Sequence, residues 1–232
     1  MEAIILAGGF GTRLQSVVKD RPKALSEVAG KHFLEYVIGY LQNHGVNRFV
    51  FSLGYLGEQI VEFLESYYPN LDYKVFIETS PLGTGGAIKK VIELTSEADI
   101  FIVNADTFFD VDLKAMHQFH LEASADCTIS LKEMHNFDRY GCVLVNDTNR
   151  ITSFKEKSYQ NSGLINGGFI LLNKKCFLQN SEQLTQVFSF EQDFLEKQLN
   201  NILVTGFVSE GYFIDIGIPE DYIKAQDFFK HF

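Results

Sequence analysis

The sequence is short of positive charge: 20 Lys and Arg stand against 30 Asp and Glu, a formal net charge of −10 over 232 residues. Phosphate backbones are held mainly by basic surface, so this balance excludes a general DNA or RNA binder and leaves room for a polyanion only at a local basic pocket. Cysteine is nearly absent. The three that occur, Cys127, Cys142 and Cys176, have no zinc spacing, and their odd number argues against a disulfide framework. A reducing compartment is the simple reading. No apolar window reaches the length of a membrane span. The opening MEAIILAGG has no basic lead-in and too short an apolar run for a signal peptide. No repeat, low-complexity tract or linker interrupts the chain. The expectation is a cytoplasmic protein with neither a nucleic-acid nor a membrane partner. Its length, with 46% hydrophobic residues, suits one domain whose core needs no disulfide or metal staple.

What is present is an alternation of strand and helix. Ile4–Ala7 is a short apolar run ending in glycine, as in a buried parallel strand. Helical spacing over 33–41, a strand-like 48–53, a helical 60–67, a strand at 73–77, a helix at 87–94 and a strand at 100–103 follow. This is the pattern of an open parallel sheet with helices on both faces. The second half is more mixed. CTISLKEM, GCVLV, RITSF and LINGGFILL read as strands, NDTN as a turn and FEQDFLEKQL as a helix, while Pro219 can open a final helix. The spacing predicts one α/β domain, a Rossmann-like open mixed and mainly parallel sheet flanked by helices, with a nucleotide-type half over 1–112 and a second half over 113–232.

Positive charge, scarce elsewhere, is gathered behind the first strand. In AIILAGGFGTRLQSVVKDRPKAL, the residues Arg13, Lys19, Arg21 and Lys23 fall within eleven positions of one another. Glycines after a buried strand let backbone N–H groups approach a ligand. Gly9-x-Gly11 matches the first two glycines of a dinucleotide fingerprint, but the third position is Leu14, and no P-loop occurs. The glycines alone fit a plain tight turn as well as a phosphate loop. The basic cluster at a strand's carboxyl end, where α/β sheets bind ligands, favours phosphate.

LAGGFGTRL followed by RPKAL resembles the signature of sugar-phosphate nucleotidyltransferases, loosely L-A-G-G-x-G-T-R-L…P-K. Those enzymes join a nucleoside triphosphate to a sugar 1-phosphate and release pyrophosphate. The resemblance implies that Leu6, Ala7, Gly8, Gly9, Gly11 and Thr12 hold the nucleotide. Arg13 would stabilise the leaving pyrophosphate, and Lys23 would bridge the α-phosphate and the sugar phosphate. In SPLGTGGAIKK, otherwise a loop opening a helix, the family's P-x-G-T-x-x-A implies that Gly83 and Thr84 line the base pocket. Glu78, at the preceding strand end, stands where some relatives carry Gln. A carboxylate can accept from the N1–H and N2–H₂ of guanine, whereas an amide suits uracil or thymine, which favours GTP.

An apolar strand ends in Asp106, well placed to hold Mg²⁺ against a triphosphate. The family reads G-D here, and Ala105-Asp106 adds one methyl. Asp110 and Asp112 read as a loop residue and a helix cap. Asp215 in YFIDIG, in isolation a turn residue, matches the family's second metal ligand. Glu156-Lys157 and Asn166-Gly167-Gly168 are in themselves an exposed charge pair and a tight turn. In the family, such segments face each other across the sugar pocket. This implies sugar-hydroxyl contacts from Glu156, Asn166 and Gly167, and a phosphate contact from Lys157. His117 and His120 stand at helical spacing with no further metal ligand evident, and read as a helix surface or packing edge.

Segments such as RLQSVVKDRPKAL, PLGTGGAIKK, GLINGGFILL and GYFIDIGIPEDYIKAQ resemble most the subfamily of D-glycero-α-D-manno-heptose 1-phosphate guanylyltransferases. N-acetylmuramate 1-phosphate uridylyltransferases and mannose 1-phosphate guanylyltransferases are rivals. Expected partners are GTP and the sugar 1-phosphate, with Mg²⁺ as cofactor and a homodimer left open. No hexapeptide-repeat β-helix is expected after the last helix. Relatives that only sense sugar nucleotides would lack the metal carboxylates or the P-K lysine; Asp106, Asp215, Arg13 and Lys23 are all present, which favours an enzyme.

Overall fold

The computed structural model describes residues 1–9, 14 and 20–232. The first half contains β1 (Glu2–Ala7), β2 (Glu27–Val28), β3 (Lys31–His32), α1 (Phe33–Asn43), β4 (Arg48–Leu53), α2 (Gly57–Tyr67), β5 (Asp72–Ile77), α3 (Gly83–Val91), β6 (Asp99–Asn104) and β7 (Thr107–Phe109). The second contains α4 (Leu113–Glu122), β8 (Cys127–Phe137), β9 (Cys142–Val145), β10 (Ile151–Phe154), β11 (Gln160–Asn173), α5 (Lys174–Asn180), a π-helical turn (Phe190–Leu195) leading into α6 (Glu196–Gln198), β12 (Val204–Val208), β13 (Phe213–Asp215) and α7 (Pro219–Phe229).

Four parallel strands, in the spatial order β6-β1-β4-β5, form the frame. Their apolar runs are nearly continuous because both faces are covered. Alternate side chains feed two separate cores. Ala3, Ile5, Phe49, Phe51, Phe101 and Val103 pack with α1, α2 and α7, while Ile4, Val50 and Ile102 pack with α3 and the π-helical turn. The helices start where local chemistry allows. Glu35 reaches back to the His32 N–H at 2.7 Å, Asp112 accepts from Lys114 and Ala115 N–H at 3.0 Å each, and Pro219 opens α7. The sheet agrees with the sequence expectation of an open, mixed and mainly parallel arrangement.

The mixing comes from β11. This strand enters antiparallel between β6 and β9 and also pairs with β8. Its register against β8 breaks between Asn166 and Ile170, and Gly168 takes φ +83° inside the break, a left-handed conformation open to glycine. A separate two-stranded ribbon pairs β7 with β13. The sequence reading did not anticipate β7, β12 or α5. Helix α3 begins at Gly83, ahead of the periodic residues from Ala87. His120 is a buried packing residue: its Nδ1 lies 2.8 Å from Thr128 Oγ1, and Asp99 approaches its Nε2 at 3.5 Å. No helix among the described residues is long and apolar enough to cross a membrane.

Candidate active site

The β7/β13 ribbon builds the centre of the site. Its register sets Asp215 opposite Thr107, and Ile216 N–H donates to the Asp106 carbonyl at 3.0 Å. Two carboxylates 109 positions apart in sequence are thereby held side by side. Lys23, opening a single 3₁₀ turn after Pro22, places its ammonium between them, 2.6 Å from Asp106 Oδ2 and 3.3 Å from Asp215 Oδ1. Asp215 Oδ1 also accepts from Gly217 N–H at 2.7 Å. A Cβ on Gly217 would stand 2.8 Å from both that oxygen and Lys23 Nζ, so glycine here keeps the cluster compact.

The cluster carries unequal charge, two anions to one cation. Burial first, and the charge of Asp106 second, push the Asp215 carboxyl above its ordinary value, against the opposing pull of Lys23 and the Gly217 N–H. Burial would lower the Lys23 pKa, but the two carboxylates outweigh it and leave it raised. Two carboxylates converging on one cation suit a hard divalent ion, which takes one or two protein oxygens and completes its shell from phosphate and water. Among the described residues no cluster of three or more acidic, His or Cys ligands occurs.

Two cavities meet at this cluster, sharing Asn104, Thr107 and Asp215. The larger, about 530 Å³, opens at the carboxyl ends of β1, β4 and β6 and is lined by Leu6, Ala7, Gly8, Gly9, Lys23, Glu78, Gly83, Thr84 and Asp106 among others. Glu78 is a held group here. Its Oε2 accepts from Leu82 N–H at 3.1 Å and its Oε1 from the Ser52 hydroxyl at 3.3 Å. A Cβ on Gly8 would come within 2.9 Å of Glu78 Oε1, so the end of β1 lies directly against that carboxylate. Gly11, Thr12 and Arg13, named from the sequence, lie outside the described residues.

The smaller cavity, about 260 Å³, is lined by Glu156, Lys157, Asn166 and Gly168, together with Arg139, Tyr140 and Glu191. Asn166 donates to Glu191 Oε1 at 2.6 Å and accepts from Gly168 N–H at 2.9 Å. Gly167 is packed in the other direction: a Cβ there would overlap the Phe109 ring, and it is Gly168 that faces the cavity. Sequence reasoning missed Arg139, Tyr140 and Glu191. Arg139 is ion-paired to Asp221, which also takes Lys224 Nζ at 2.8 Å. Burial, and then the nearby charge of Asp215, raise the Tyr140 phenol pKa. None of these residue types in its local setting signals a site; only the folded chain assembles them.

A mainly parallel sheet with an inserted antiparallel strand, two joined cavities and a carboxylate pair at their meeting point define a sugar-nucleotide-forming architecture. The family model for nucleotidyl transferases matches residues 2–231, and the chain belongs to that family. Enzymes of this family generally use a divalent metal ion. Among curated relatives, the chain is 47% identical over 232 residues to the D-glycero-α-D-manno-heptose 1-phosphate guanylyltransferase of Aneurinibacillus thermoaerophilus, covering 100% of both chains. It is 41% identical to the enzyme of the same name from Campylobacter jejuni, covering 96% of this chain and 97% of that one. Among solved structures, HddC from Yersinia pseudotuberculosis complexed with GMP-PN superposes with a TM-score of 0.88 at 39% identity over 99% of each chain.

Proposed function

We propose that this chain transfers the guanylyl group of GTP to D-glycero-α-D-manno-heptose 1-phosphate in the cytoplasm, giving GDP-heptose and pyrophosphate. The observation that carries the reading is Lys23 between Asp106 and Asp215 at the junction of two cavities. An anionic oxygen of the sugar 1-phosphate attacks the α-phosphorus of GTP. A new P–O–P bond forms as the bond from the α-phosphorus to the bridging oxygen breaks, and that oxygen leaves with pyrophosphate. The nucleophile is already ionised, so no general base is required. The obstacle is repulsion between two anions, and the chain answers it with fixed positive charge.

In this reading Lys23 leaves its carboxylates to bridge the α-phosphate and the incoming sugar phosphate, while Arg13 meets the departing pyrophosphate. Leu6 and Ala7 border the nucleotide at the end of β1, and Gly8 and Gly9, with Gly11 and Thr12, follow the triphosphate with backbone N–H groups. Glu78, already oriented by Ser52 and Leu82, accepts from the N1–H and N2–H₂ of guanine. Gly83 and Thr84 border the base. Asp106 and Asp215 hold Mg²⁺, which when bound neutralises phosphate charge. On the other side Glu156 and Asn166, beside Gly168, take sugar hydroxyls, and Lys157 meets the sugar phosphate. Residues 1–112 thus carry most of the nucleotide site and 113–232 most of the sugar site, with Asp215 crossing over.

The test is pyrophosphate release with Mg²⁺, crossing GTP, UTP, dTTP, CTP and ATP with the 1-phosphates of manno-heptose, mannose, glucose and N-acetylmuramate. Turnover confined to GTP and the heptose is expected. Preference for UTP or dTTP would overturn the role of Glu78, and preference for mannose the sugar assignment. No turnover with any pair would leave a binding protein.

A further inference from the structure

The nucleotide loop and the sugar cavity are joined by one segment, residues 186–191, which runs into the FEQDFLEKQL stretch and which the sequence reading gave no site role. It runs along the first turn of α3. Phe188 N–H donates to Leu82 O at 3.1 Å, and Phe188 O accepts from Gly85 N–H at 3.0 Å. The contact leaves no space for side chains. A Cβ on Gly83 or Gly86 would collide with the carbonyl of Phe188 or Gln186, and one on Gly85 with the buried Phe188 ring. Two residues further on, Phe190 N–H donates to Thr84 Oγ1 at 2.9 Å. The chain then enters the π-helical turn, a wide geometry concentrated at functional sites, pinned by Ser189 N–H on Asp193 Oδ2 at 2.8 Å. Glu191, exposed and adjacent to Phe190, reaches the sugar cavity and receives Asn166 Nδ2 on Oε1 at 2.6 Å. Its Oε2 has no hydrogen-bond partner among the described residues.

We propose that Glu191 accepts a hydroxyl of the sugar 1-phosphate, and that Thr84 is the positioning residue that sets it, acting through Phe190 rather than by reading the base it borders. The proposal rests on the guanylyl-transfer reading above. A carboxylate oxygen left free beside a neutral amide is a strong acceptor for a sugar hydroxyl. The Thr84 oxygen is already engaged by the Phe190 N–H, so its hydroxyl holds the backbone that leads into Glu191. Thr84 thus lines the nucleotide cavity while holding the backbone next to Glu191, which lines the sugar cavity.

The experiment measures KM for each substrate separately in wild type, Thr84→Val, Thr84→Ser, Glu191→Gln and the double variant Thr84→Val/Glu191→Gln, using whichever nucleotide and sugar pair wild type turns over. Loss of one hydrogen bond predicts a rise of about five- to tenfold in the sugar KM for Thr84→Val, with the nucleotide KM within about twofold. Thr84→Ser, which restores the acceptor, returns the sugar KM to the wild-type value. Glu191→Gln raises the sugar KM to a similar degree, and the double variant is no worse than Glu191→Gln because both act through one contact. If Thr84→Val raises the nucleotide KM and leaves the sugar KM unchanged, Thr84 serves the base and the proposal is overturned. An unchanged sugar KM in Glu191→Gln, an exposed position where folding is not at stake, overturns it independently. A different preferred base or sugar in wild type revises the guanylyl-transfer reading alone, since the comparison among variants does not depend on it.

Discussion

Replacing Asp215 by asparagine should make the ligand-free protein more stable while removing its activity. Asp215 is buried beside Asp106 with one ammonium between them, and its carboxyl pKa is raised, which means its ionisation is opposed in the folded state. Both of its hydrogen bonds, to Gly217 N–H and to Lys23 Nζ, fall on the same oxygen, Oδ1. An amide oxygen can keep both while the charge disappears. Removing a charge whose ionisation the fold opposes should therefore stabilise the folded state. The gain reads as a higher Tm, each 1 kcal/mol being about 2–4 °C for a chain of this size. The sign also fixes the pH dependence. A carboxyl with a raised folded pKa destabilises most when ionised, so its cost fades as pH falls through that raised value, and this component should vanish from the wild-type-minus-variant difference. Lys23→Met should do the reverse. It leaves two carboxylates facing each other and costs about 2–3 kcal/mol, less than the cost of breaking a fully buried pair because the carboxylates keep part of their exposure. Turnover should fall by about 10²–10³ in both variants. Thermal melts with a pyrophosphate-release assay decide the matter. A lower Tm for Asp215→Asn, or more than about a tenth of wild-type turnover in either variant, would refute the charge-balance reasoning.

Glu78→Gln keeps an acceptor for Ser52 but presents an amide where guanine's donors are met, so kcat/KM for GTP should drop about tenfold relative to UTP, read from paired substrate titrations. Gly86→Ala drives a methyl onto the Gln186 carbonyl, and a melt should show about 1–3 kcal/mol of destabilisation. Dialysis against a chelator should abolish turnover, and added Mg²⁺ should restore it while inert monovalent salt does not.

Much of the frame was legible because it is local. An apolar run with its end at Asp106 announces a buried strand, and Pro219 announces a helix start. The antiparallel entry of β11 was not legible, because nothing in LINGGFILL specifies that it pairs with the distant β6 as well as with β8 and β9. Register is settled by contacts far apart in the chain. The glycines of GTGGA show the limit most clearly. Their lack of side chains is visible in the sequence, but not what occupies the space; in the fold it is residues 186–188 on Gly83, Gly85 and Gly86. Arg139, Tyr140 and Glu191 line the smaller cavity through the placement of β8, β9 and the π-helical turn, and residue type alone carries no trace of it.

The central position of β11 has a consequence for how the chain is made. During synthesis from the N-terminus, β6 emerges with β1 on one side and an open edge on the other, its partner arriving about 70 residues later. At about 5–20 residues per second that edge waits roughly 3–14 s. The exposed segment, Ile100–Val103, is apolar and rich in β-branched residues, the kind of edge that pairs with a foreign strand. A nascent chain of this protein therefore has its most vulnerable moment in mid-translation, and codon usage or chaperone engagement between β6 and β11 would govern its yield more than the stability of the finished fold.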